Sequence, residues 1–336
     1  MSEALFVDTP GDRPDDSPEA GAAAPASGGR PFWRRLRARR SALVAGGVVA
    51  FLVLVALAAP LLTAIEGQNA TAYHPDLVDS ATGGVPLGAL GGISADHWLG
   101  VEPLTGRDLF ARVVYGARVS LGVALAATVL QVLIGVAAGL AAGLGNRLVD
   151  QALSRITDVF VALPLMVVAL GALAVAPAGF PRPVLIAVII GLVGWAGTSK
   201  IVRARTLALK SLDHVAAARL SGWSAAQVAR RELLPALAAP VITYAVLLFP
   251  SNIVVEAALS FLGVGIKPPT PSWGQMLSDA DTWYQAAPTY LLVPALLLFV
   301  TVLALTVLGE GVRTALDPRA ASRLRVGTGR RKEARA

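Results

Sequence analysis

The sequence predicts an all-α membrane domain of six helices, and three observations carry that reading. Of 336 residues, 55% are hydrophobic and only 15% charged, against about 25% charged in soluble domains. The apolar residues fall in long uncharged runs, each near the ~20 residues that a helix needs to cross a bilayer. Lysine and arginine flank those runs. A net charge of +7 would suggest nucleic acid in a soluble chain, but basic residues placed this way speak for membrane topology and against a nucleic-acid partner. The chain has no cysteine, which excludes disulfides, thiolate metal sites and cysteine nucleophiles.

The elements follow in order. Residues 1–29 are rich in Ala, Gly, Pro, Asp and Ser and lack the apolar surface to fold alone. Arg30, Arg34, Arg35, Arg37, Arg39 and Arg40 then complete a basic tail, 1–41. The first span is 42–65. Ala56-Leu57-Ala58 imitates a signal-peptide cleavage site, but the run continues apolar beyond it, so an uncleaved anchor is expected. An external segment follows, 66–115. The core, 116–312, holds spans near 119–144, 159–178, 183–202, 237–255 and 290–309, and a second basic tail covers 313–336. Pro164 is expected to kink the third span. Lys200 and Arg203 are snorkelling ends for the fourth.

Six spans put both termini on one side, and lysine and arginine choose which. With the termini, 145–158 and 203–236 in the cytoplasm, those segments and Lys200 hold 24 of the 29 basic residues. Arg107, Arg112, Arg118, Arg182 and Lys267 remain outside.

The span cores contain no Asp, Glu, Lys, Arg or His. That argues against proton or sodium coupling, which usually leaves an ionisable group near the midplane. No G-x-x-x-x-G-K-[ST] loop is present, so an ATPase would be another polypeptide. Gly135, Gly139 and Gly143 recur at four-residue intervals in the second span, spacing that lets helices approach closely. Packing within the chain and contact with a partner both fit.

The loop 203–236 carries helix punctuation. Ser211 is placed to cap a helix through Ala216, Ala217 and Ala218, with Asp213 in its first turn. Gly222 suits its end, and Ser224-Ala-Ala-Gln227 reads as a capping box. The loop is thus helix, glycine corner, helix. An interfacial helix on the headgroups and a helix seated in another protein's cleft both fit this pattern.

Asp213-His-Val-Ala-Ala-Ala-Arg219-Leu-Ser-Gly222, followed by Leu234-Pro235, resembles the E-A-A-x-x-x-G signature of bacterial binding-protein-dependent permeases. Ala217, Ala218, Gly222, Leu234 and Pro235 match, whereas the signature's glutamate is Ala216 and its later isoleucine is Glu232. His97-Trp-Leu-Gly100, Gly106-Arg107-Asp108, Glu256-Ala-Ala-Leu-Ser-Phe-Leu-Gly263, Pro268-Pro-Thr-Pro-Ser-Trp273-Gly274, Leu308-Gly-Glu-Gly-Val-Arg313 and Leu316-Asp-Pro-Arg319 look like the C-type dipeptide and oligopeptide permeases. The resemblance covers roughly residues 30–319.

It implies a type I importer permease with a five-helix, MetI-like core behind the N-terminal anchor. It implies a second permease subunit, two ATP-binding subunits that bind ATP and Mg, an extracytoplasmic solute-binding protein, and the bacterial cytoplasmic membrane. The chain itself would be non-catalytic and hold no cofactor. The loop would be the coupling helix, through Asp213, Ala217, Ala218, Arg219, Gly222, Leu234 and Pro235, and the solute a di- or oligopeptide, with nickel or another small solute as the alternative.

The remaining candidates lie toward the outside. Asn252, Glu256, Ser260 and Phe261 are pathway or outer-gate candidates, and Glu256 alternatively pairs with Lys267. Arg107 and Asp108 either lock a turn or cap a helix, or meet a partner. Pro269 and Trp273 belong to a stiff loop suited to docking, with Trp273 alternatively an interfacial anchor. His74 and His97 share their segment with Asp76, Asp79 and Asp96 at spacing too scattered for a metal site, so none is expected.

Overall fold

A computed structural model describes residues 32–177 and 179–316. The expected tail 1–29, Arg30 and the stretch beyond Leu316, with its Asp-Pro-Arg319 motif, lie outside the described residues. Thirteen helices make up most of the described residues: α1 Phe32–Arg37, α2 Arg40–Leu57, α3 Ala59–Glu66, α4 Leu109–Leu144, α5 Arg147–Ala162, α6 Leu165–Ala174, α7 Arg182–Gly194, α8 Ala196–Leu209, α9 Asp213–Leu220, α10 Ala225–Val228, α11 Leu234–Phe261, α12 Trp273–Ala280 and α13 Pro288–Leu316. A π-turn over Ala229–Leu233 joins α10 to α11.

Four helical stretches are long and apolar enough to cross a membrane: Arg40–Leu57, Leu109–Leu144, Ala225–Phe261 and Pro288–Leu316. The pairs α5–α6 and α7–α8 qualify only as bent units, with bends of 81° and 41°. Six spans result if each bent pair is one.

The breaks have local causes. The expected first span, 42–65, is interrupted at Ala58, because Pro60 opens α3 and a proline is favoured in a first helical turn, not an interior. The third span is more than kinked. Leu163 sits extended at φ −72°, ψ 123° before Pro164, as the residue before a proline prefers. Residues 159–162 therefore belong to α5, and α6 has only 10 residues, about 15 Å of helix.

α4 is the central post. It begins at Leu109, ten residues before the expected span, and packs against α8, α7 and α11. The glycine stripe explains how. A Cβ on Gly139 would lie 2.7 Å from the Ser199 carbonyl oxygen and from Val202 Cβ. Gly135 and Gly143 abut Thr198 and Thr206 in the same way. The stripe seats α8 of the same chain.

Residues 67–108 fold over one end of the bundle, the outer end by the distribution of lysine and arginine. They form short turns, a two-residue hairpin pairing Val78 with Pro86 and Asp79 with Val85, and a bridge between Val101 and Asp108. The opposite end carries α9 and α10. Apolar clusters lie between α4, α6, α7 and α11, between α2, α4, α11 and α13, and beneath α9.

Candidate functional site

The loop after α8 folds as helix, corner, helix. Ser211 does not cap α9. Leu212 holds the capping position, and Ser211 Oγ donates back to the Ala208 carbonyl at 2.9 Å. Gly222 takes φ +82°, the left-handed conformation that glycine adopts cheaply. Trp223 N–H closes onto the Ala218 carbonyl at 3.1 Å, the C-terminal lock expected there. Ser224 and Gln227 form a reciprocal capping box.

One side chain anchors α9. Val215 is 1% exposed and packs with Val202, Val228, Leu233 and Leu237. Asp213, Ala217, Arg219, Gly222, Leu234 and Pro235 are exposed and Ala218 is half-buried. Leu220 is 91% exposed, an apolar side chain offered at the helix end. The Arg231 guanidinium covers the Trp223 ring at 5.3 Å. Glu232, at the signature's isoleucine position, comes within 3.9 Å of His214 Nε2. The pattern had pointed to the alanines and missed Leu220, whose exposure depends on Val215 taking the buried face.

Beside this loop, α5 is tied to α8. Arg203 Nη2 donates to Asp150 Oδ2 at 2.7 Å, Lys200 Nζ meets Asp158 Oδ1 at 2.9 Å, and Lys210 Nζ donates to the Gly143 carbonyl at 2.8 Å. The loop thus rides on a braced platform.

Inside the bundle, Asn252 Nδ2 donates to Thr128 Oγ1 at 2.8 Å and to Gln131 Oε1 at 2.9 Å, and Gln131 Nε2 reaches the Ile190 carbonyl at 3.2 Å. This network joins α4, α7 and α11. Of the four gate candidates, Asn252, Glu256 and Ser260 are buried, while Phe261 is 44% exposed. Glu256 does not end the fifth span at water, because α11 continues to Phe261 and encloses it. Nor does it meet Lys267: its carboxyl accepts from Ser260 Oγ at 2.8 Å.

The outer end is held by a buried ionic hub. Arg107 Nε pairs with Glu102 Oε2 at 2.7 Å, not with its neighbour Asp108. Arg112, fully buried, pairs with Glu102 Oε1 and sends Nη2 to Gln275 Oε1 at 2.8 Å and Nη1 to the Ala70 and Pro269 carbonyls at 3.3 Å. Tyr290 Oη donates to Glu102 Oε1 at 3.2 Å. Asp108 caps α4 through Ala111 N–H at 2.6 Å and meets His97 Nδ1 at 2.9 Å. Trp273 is no interfacial anchor; it is fully buried, with Nε1 donating to the Val113 carbonyl at 3.1 Å. Glu102 and Arg112 were not singled out from sequence, since nothing local pairs residues 102, 112 and 290.

Glu66, at the end of α3, accepts the Trp98 N–H at 3.1 Å. Burial above all, against the lowering effect of the Trp98 bond and with a smaller push from the neighbouring Asp108, raises its carboxyl to about 7. Among the described residues no group of His, Asp and Glu is placed to hold a metal ion.

Residues 132–322 match the family described as binding-protein-dependent transport system inner membrane component. Residues 28–77 match the N-terminal TM domain of oligopeptide transport permease C. The glutathione transport system permease protein GsiD of Salmonella typhimurium (strain LT2) is 39% identical over 290 residues, which is 86% of this chain and 90% of that protein. GsiD of Escherichia coli O6:K15:H31 is 35% identical over 288 residues, covering 86% and 89%. Among solved structures, an inward-facing MetNI methionine ABC transporter covers 61% of this chain and 96% of its own at 17% identity and a TM-score of 0.44.

Proposed function

The chain belongs to the binding-protein-dependent transport system inner membrane components, and from that membership we propose that it carries a short peptide or peptide-like solute inward by ATP-driven alternating access. It is a non-catalytic permease subunit of an ABC importer. In our reading it joins a second permease subunit, two ATP-binding subunits that hold ATP and Mg, and an extracytoplasmic solute-binding protein. It lies in the bacterial cytoplasmic membrane with both termini inside.

One observation carries the coupling assignment: Val215 is the one fully buried side chain of α9, and the helix offers Leu220 almost wholly exposed. Burying a leucine is worth roughly 1.5–3 kcal/mol, so a partner that covers Leu220 gains affinity while the permease alone gains nothing from exposing it. ATP closes the ATPase dimer, α9 moves with it, and the braced platform of α5 and α8 passes the motion into the bundle. Hydrolysis resets the pair.

The relatives are named as glutathione permeases, which supports a small peptide-like solute. Purified complex in liposomes, given binding protein and ATP, is expected to accumulate labelled glutathione or short peptides. Flux of those solutes through this chain alone, without ATP, would sink the proposal.

A further inference from the structure

Residues 83–93, in the segment that covers the outer end of the bundle, carry no polar side chain; the run is Gly-Gly-Val-Pro-Leu-Gly-Ala-Leu-Gly-Gly-Ile. Leu87, Leu90 and Ile93 within it are exposed, Leu90 to 69%. A single exposed leucine needs no explanation, but three large apolar side chains within seven residues do. They stand on and beside a short helical turn, Ala89–Gly91. Leu90 also carries backbone strain. It sits at φ 53°, ψ 36°, in the left-handed region where glycine is at ease and a side chain is not. Its neighbours Gly88, Gly91 and Gly92 take positive φ as glycines. In water the Leu90 side chain would return nothing for that strain.

The turn is tied to one place on the bundle. Thr289 Oγ1 donates to the Leu90 carbonyl at 3.2 Å, and a Cβ on Gly91 would lie 2.6 Å from that same oxygen. Thr289 is the second residue of α13. From it, Leu292, Leu296, Phe299 and Leu303 follow at intervals of three and four residues, which places them on one helix face, and all four are exposed. Continued at the same spacing, that face turns polar at Thr306, Glu310 and Arg313. An apolar band that gives way to polar residues at the inner end is the lipid-facing side of a span. The turn therefore sits at the outer edge of that band. Its carbonyls are also provided for: Gly91 accepts the Val101 N–H at 2.9 Å and Ala89 the Gly92 N–H at 3.1 Å. Backbone groups satisfied within the protein can approach lipid; unsatisfied ones cannot.

We propose that Leu87, Leu90 and Ile93 form a membrane-dipping anchor: the turn lowers these side chains into the outer leaflet beside α13 and so pins the extracytoplasmic segment to the lipid surface. A soluble partner's footprint carries polar groups at its rim, and this run supplies none, whereas the bilayer surface continuous with Leu292 asks for none. Which leaflet is entered follows from the topology proposed above. Contact with lipid does not depend on it.

The chain has no cysteine, so a single nitroxide reports one site. In liposomes, with the full chain and its partner subunits, a nitroxide on Leu90→Cys is expected to collide readily with oxygen, which concentrates in lipid. It should be shielded from a water-soluble nickel chelate, at a depth of about 5–10 Å into the headgroup–acyl boundary. A nitroxide on Ala81→Cys, exposed in the same segment, should meet the chelate freely. Chelate access at Leu90→Cys equal to that at Ala81→Cys would overturn the proposal. Shielding that arises only when the extracytoplasmic binding protein is added would overturn it too, since the turn would then dock protein. The unsubstituted chain supplies an independent reading. A phospholipid with a photoactivatable diazirine near the head of its acyl chain should leave adducts, read by mass, within residues 85–93 as well as 292–303. Adducts on 292–303 with none on 85–93 would overturn the anchor without any variant. Neither readout measures transport, so failure of the peptide-import proposal leaves this one standing, and the reverse holds as well.

Discussion

At the scale of single residues, exposure and burial assign roles that residue type alone does not. Leu220 is the clearest case, an apolar side chain 91% exposed at a helix end outside the bundle. Leu220→Ala should weaken copurification of the ATPase subunits about tenfold, the equivalent of roughly 1.4 kcal/mol, with membrane insertion unchanged. Undiminished copurification would remove Leu220 from the docking face. Glu66 makes a different kind of prediction. Its folded carboxyl is raised from the ordinary 4.5 to about 7, so the folded chain binds more protons than the unfolded one across that window. Stability from this site is full below about 4.5 and falls as pH rises through 7. The apparent Tm of purified protein should therefore drop between pH 5 and pH 8, and Glu66→Gln should flatten that part of the profile. An unchanged slope in the variant would place the dependence elsewhere.

At the scale of elements, the α4–α8 seam and the α9 corner carry the testable geometry. Gly139→Leu drives a side chain into the Ser199 carbonyl and Val202, and overpacking of this kind costs about 1–3 kcal/mol or more. Thermal unfolding in detergent should shift down by several degrees, while Gly47→Leu on α2, which meets nothing within 4 Å, should not shift. At Gly222 the backbone sits at φ +82°, and proline requires φ near −65°. Gly222→Pro is expected to insert normally yet hydrolyse ATP without uptake. Normal uptake would count against α9 as the lever. These elements differ in how far they could be read in advance. The Ser224–Gln227 box and the Gly222 corner obey rules that act within four residues, so spacing revealed them. Ser211 misled because capping depends on where the preceding helix stops, and α8 runs on to Leu209. Pro164 announced a disruption but not its size, a bend of 81° between α5 and α6.

At the scale of the whole molecule, topology and family frame everything else. A reporter fused to either terminus should be active only in the cytoplasm, and one inserted in 66–115 only outside; the opposite pattern would invert the roles given to α9 and the Arg112 hub. The six runs, the basic flanks and the ordered motifs were legible because hydropathy and charge act segment by segment. A span is selected by its own ~20 residues, and its orientation by the lysines and arginines beside it. The sequence by itself thus determined membrane residence, the approximate spans and membership in the permease family. Tertiary structure alone decided the rest. Whether the glycine stripe faced α8 or a partner, which face Val215 left to Leu220, and how Glu102 gathered Arg107, Arg112 and Tyr290 all depend on residues far apart in the chain. Glu256 shows the limit most plainly. It looked like a carboxylate at the water's edge, but α11 runs five residues further, to Phe261, and Glu256 is fully buried there, accepting from Ser260. A buried carboxyl is defined by what surrounds it, and no local pattern encodes neighbours that only folding brings together.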